Sequence, residues 1–178
     1  DVIIATTGAG KVTLNVNATI VNVTINSGAT LNVTTLNLTI TGFFTKNGAI
    51  TGTSGRLTTT TGASINNGSI VLTWGRITLT AGSFTNNGSI SMTTGRLIQT
   101  SGSITNTATG TIAFSGTGTI TFGTGNFINL NTSASVNFGS SPITITGTAI
   151  SQSIGGFTTT GTVSMTKASG TVTFTGNV

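Results

Sequence analysis

Arg56, Arg76 and Arg96 recur at equal spacing, one in each repeat, and no acidic residue stands near any of them. Cations held in line without carboxylate partners can bind an anionic polymer, such as an acidic polysaccharide or surface glycan. The competing reading is a solvated stripe that keeps the protein soluble, because water and salt screen like charges at a surface. Trp74 lies just before Arg76, with only Gly75 between them. Exposed, its indole would stack on a sugar ring; buried, it would serve local packing. These four residues form a candidate glycan face. Nucleic acid is not expected as a partner: the chain has three lysines, no Tyr, one Trp and no recognisable reading motif.

The remaining composition argues against catalysis. The 178 residues include one acid, Asp1, and no His or Cys. General acid–base chemistry draws on His, Glu or Asp. Zinc needs Cys, His or carboxylate ligands, and calcium needs several carboxylates. A nucleophilic Ser would have no base to activate it. The expectation is a protein that is not an enzyme and holds no metal or cofactor. No stretch approaches the roughly 20 apolar residues of a spanning helix, so no membrane span is expected. The absence of Cys suits a reducing compartment or an extracellular protein without disulfides. The scarcity of Lys and Glu favours the outside of the cell. Asp1-Val2-Ile3-Ile4 lacks a basic region followed by an apolar run, and reads as the start of a cleaved mature chain or as a boundary within a longer one.

The elements that must carry these side chains follow from composition and period. Thr (44), Gly (26), Ser (18) and Asn (17) dominate, with Val, Ile and Phe interleaved. Thr, Val, Ile and Phe favour strands, while Gly and Asn favour turns. From Phe44 the chain reads FTKNGAITGTSGRLTTTTGA, from Ser64 SINNGSIVLTWGRITLTAGS, and from Phe84 FTNNGSISMTTGRLIQTSGS. Each unit holds three short runs separated by glycines. That pattern predicts an all-β solenoid with about 20 residues and three short strands per coil, coils stacking about 4.8 Å apart. Ile50/Ile70/Ile90 and Leu57/Ile77/Leu97 are expected inside. Asn47, Asn67 and Asn87 are expected to form a structural ladder at a corner, with Gly48, Gly68 and Gly88 supplying a positive φ. The flanking segments 11–41, 104–138 and 143–175 alternate apolar and polar residues in the same manner. Even spacing over residues 1–178 gives one domain of about nine coils, with its strictest repeats at 44–103 and a rod roughly 40 Å long.

The segments GSFTNNGSISMTTGRL, GGFTTTGTVSMTKASGTVTFTGN and VTLNVNATIVNVTINSGATLNV resemble the repeats of large secreted surface proteins of Bacteroidota, many of them type IX secretion substrates. The resemblance implies a right-handed solenoid and a role as adhesin, gliding or surface-filament component. The C-terminal secretion domain of that group is not within these 178 residues, as expected if it has been removed or if the chain is a piece of a longer array.

Parity places Thr58 and Thr60 on the face of Arg56, and Thr78 and Thr80 on the face of Arg76. An outward TxT array of this kind is similar to the ice-binding face of some antifreeze proteins, although Ile98 breaks it in the next coil. The chain's two extremes, Asp1, Val2, Ile3, Ile4 and Ala5 at one and Thr171, Val172, Thr173, Phe174 and Thr175 at the other, read as uncapped strand edges. Head-to-tail self-assembly is expected there, with residues 1–10 as a strand for pairing with a neighbouring subunit. With so few titratable groups, stability should vary little between about pH 4 and 9.

Overall fold

The computed structural model describes residues 1–5 and 11–178, and the chain winds into an all-β solenoid. One coil shows the plan. Ala63–Asn66 lies in the first sheet, Ser69–Leu72 in the second and Arg76–Leu79 in the third; Ser83–Asn86 then returns to the first sheet beside Ala63–Asn66. All pairings are parallel, and the three sheets hold nine, seven and eight strands. These amount to about eight stacked coils rather than nine, because later coils are longer than the repeat at 44–103. Arg96 pairs with Thr119, and Phe127 with Ile154. The added residues sit at corners, as in Thr107–Gly110 and in the stretch holding the 3-10 turn Ser133–Ser135. Strand Val2–Ile4 pairs with Val23–Ile25; Asp1 and Ala5 flank it outside the strand, and positions 6–10 of the expected 1–10 strand lie outside the described residues. No helix among the described residues is long and apolar enough to cross a membrane.

Alternation explains the core. Along each strand every second side chain turns inward, so the in-register coils bring Ile50, Ile70, Ile90 and Ile112 into one buried column and Leu38, Leu57, Ile77, Leu97 and Ile120 into another. In the wider later coils the interior is filled by Phe114, Phe122, Phe127, Phe138 and Phe157, with ring centroids 5.0–6.3 Å apart.

The glycine following each corner Asn does a different job from the one expected. Gly48, Gly68 and Gly88 have ordinary φ values. Their place is set by close approach: a Cβ on Gly68 would collide with the carbonyl oxygen of Gly48, and one on Gly88 with that of Gly68. Within the strict repeats positive φ appears instead at the third corner, at Gly82 (80°) and Gly102 (77°).

Candidate functional site

The third sheet brings the arginines together. Arg56, Arg76 and Arg96 are register partners in adjacent strands, with Asn37 before them and Thr119 after. Side chains from Arg56, Trp74, Arg76, Arg96, Ser54 and Asn37 line an open groove of about 640 Å³. Trp74 projects from the preceding corner and is 61% exposed, so its position suits contact with a ligand more than packing. Arg76 is partly buried and stands between two like charges. Partial burial, then Arg56 and Arg96 on either side, hold the Arg76 pKa below the usual arginine value. Its Nε is buried without a hydrogen-bond partner. The acid of this chain, Asp1, is elsewhere, accepting a bond from Asn22 Nδ2 at 2.6 Å. The groove therefore concentrates positive charge, guanidinium donors and one indole face, an arrangement that can bind an anion or an acidic sugar.

The threonines extend further than a fixed period reveals. Thr58 and Thr78 belong to an outward rank that includes Thr39, Ile98, Thr121 and Thr144. Thr60 and Thr80 belong to a second rank, two positions along, with Thr41, Thr100, Gly123 and Thr146; each follows a register-matched strand end and donates its amide to the coil before. Unequal coils carry these positions out of step with any fixed-period comparison, since the step from Thr39 to Thr58 is shorter, and that from Ile98 to Thr121 longer, than the step from Thr58 to Thr78.

Asn47, Asn67 and Asn87 form the expected ladder at the first corner. Asn67 Nδ2 donates to Asn47 Oδ1 and Asn87 Nδ2 to Asn67 Oδ1, both at 2.7 Å. A second ladder lies one position earlier, inside the solenoid. Asn66 donates to Asn86 at 2.7 Å, Asn86 to Asn106 at 2.7 Å, and Asn106 to Asn129 at 3.0 Å. The second amide hydrogens of Asn66 and Asn86 meet the carbonyls of Ser89 and Thr111, at the starts of second-sheet strands. In the same column, one coil before Asn66, stands fully buried Lys46. Its Nζ donates to the carbonyls of Gly48 (2.8 Å) and Ser69 (2.9 Å), and burial lowers its pKa from 10.5 to about 7. The sequence reading missed both features. Parity was the available signal, since Asn66 and Asn86 stand two positions after inward-facing Ser64 and Phe84.

Two of the strands lie at the edges of the first sheet. Thr171–Phe174 pairs on one side with Ser151–Ile154, and Val2–Ile4 occupies the other edge of the same sheet. Neither edge strand pairs further among the described residues. Comparison with protein-family models, curated proteins and solved structures finds no match to this chain.

Proposed function

We propose that the chain is a structural, non-catalytic protein of the cell exterior, a rod-shaped segment of a surface filament or adhesin that extends head-to-tail through its strand edges. One observation carries this reading: among the described residues, the core columns continue into both edge coils with their side chains exposed. Val163 and Met165 continue the columns of buried Ile143 and Ile145, and Phe174 continues that of Ile154, yet they are 38%, 55% and 40% exposed. At the other edge, Val2 and Val12 continue the columns of Val23 and Leu31 and are equally open. An open core with unpaired parallel strands is complementary to a further coil, and a second copy offers one in the same orientation. Such a contact is heterologous and propagates.

The test is negative-stain electron microscopy with light scattering on the purified chain. Filaments of uniform width that lengthen with concentration are expected, and Met165→Lys with Phe174→Lys should disperse them without changing the circular dichroism. Monomeric rods at every concentration would overturn self-assembly.

The Arg groove favours a second activity for the same rod, binding of an acidic polysaccharide along its side. Affinity for a polyuronate should fall steeply with salt if the arginines carry it. A salt-independent affinity, or none, would remove this reading.

A further inference from the structure

We propose that the third sheet is an ice-binding surface, with crystalline water as its ligand. The two outward threonine ranks are the argument. Over six consecutive coils, ten of their twelve positions are Thr, the exceptions being Ile98 and Gly123. Abundance of Thr does not account for this. In the second sheet, the two outward positions of five consecutive coils, from Thr30–Thr34 to Thr111–Phe114, hold three threonines in ten. Threonine is thus denser here than on the second sheet, in two ranks with no charged residue in either; the first sheet carries a single such column, Thr24, Thr45, Ile65, Thr85 and Thr105.

The geometry is that of a two-dimensional lattice. Strand spacing repeats the side chains about every 4.8 Å along the rod, and a two-position step along the strand separates the ranks by about 6.7 Å. The strand repeat lies near the shorter oxygen repeat on a prism face of ordinary ice, and the rank separation lies somewhat below the longer one. Each Thr is β-branched with restricted χ1, so the array is stiff before any ligand arrives; the Thr78 hydroxyl is buried, and those of Thr60 and Thr146 donate to the carbonyls of Thr41 and Phe122. Water held at such regularly spaced groups is already in positions that a crystal face can adopt. Parallel register supplies the long-range order, since the unequal steps from Thr39 to Thr58, Thr58 to Thr78 and Ile98 to Thr121 all return a Thr to the same rank. Ile98 keeps a methyl in its place. The arginines line one border of the array, over three coils, and leave the second Thr rank free of charge. The face runs along the side of the rod, so head-to-tail assembly would lengthen it rather than cover it.

The experiment measures thermal hysteresis, ice-crystal shaping and inhibition of recrystallisation by the purified chain. Thr80→Tyr and Thr100→Tyr place bulk on exposed positions of the second rank; Ser91→Tyr places it on the second sheet and serves as the control. Circular dichroism and melting identify any variant that fails to fold. Faceted crystals and measurable hysteresis are expected from the parent chain and from Ser91→Tyr, with at least a fivefold loss in either folded threonine variant. Unshaped ice and no hysteresis from the parent chain would overturn the proposal. So would threonine variants that lose no more activity than Ser91→Tyr.

Discussion

Lys46 and Asn66 are register partners in the buried column of the first sheet, and the ammonium uses the carbonyl that an asparagine would use there. Lys46 Nζ donates to Ser69 as Asn66 Nδ2 donates to Ser89, each reaching the strand that starts one coil later. Asn66 Oδ1, the acceptor at that end of the Asn ladder, is buried without a partner. The buried polar column thus begins at Lys46, an amine held by two carbonyls with no carboxylate beside it.

Lys46 should make stability depend on pH, against the flat profile expected from composition. Its pKa is about 7 when folded and near 10.5 when unfolded, so between those values the unfolded chain binds more protons. Stability therefore rises with pH through that window, by up to about 1.4 kcal/mol per unit, and the cost of the buried charge is felt in full below pH 7. Urea unfolding at pH 6, 8 and 10 measures it. Lys46→Met should flatten the profile and raise stability at pH 6; a flat profile for the parent chain would contradict the assignment.

The two Asn ladders should differ in worth. Asn86→Ala leaves Asn66 Nδ2 and Asn106 Oδ1 each short of a partner in a dry interior, at about 1–3 kcal/mol apiece. Asn67→Ala breaks bonds that solvent can replace and should cost less than about 1 kcal/mol. Equal shifts in urea midpoint would mean that burial does not separate the ladders.

Gly68→Ala should destabilise by more than about 2 kcal/mol, because the new Cβ meets the Gly48 carbonyl and the whole corner must open. A melting temperature indistinguishable from the parent's would show that coils can separate locally at small cost.

Relieving the Arg ladder should help folding and hurt binding. Arg76→Gln removes the central like charge and should leave stability unchanged or raise it slightly, more at low salt than at high. Affinity for a polyuronate should drop in the same variant. Loss of stability at low salt would mean that Arg76 has a structural partner.

Much of this was legible because a solenoid is built from local rules. Three Gly-separated runs in each repeat, with apolar residues on every second position, specify short strands, corners and an inward face before any contact is known. The Arg column and the Asn47/Asn67/Asn87 ladder were readable for the same reason: equal spacing along the chain becomes adjacency across coils. The buried Asn ladder and Lys46 obey the same alternation, but their polarity argues for solvent, and only stacking shows how they are satisfied inside.

What the chain alone determined was the coil, because strand and turn preferences act over a few neighbouring positions. Tertiary structure decided which residues meet once the coils cease to be equal. Residues added at Thr107–Gly110 are absorbed in a corner, where the backbone can bulge without breaking a ladder, so Thr78, Ile98 and Thr121 stay in rank across a change of period. It also decided why Gly48, Gly68 and Gly88 are glycines, since the atom that excludes a Cβ belongs to a residue a full coil away.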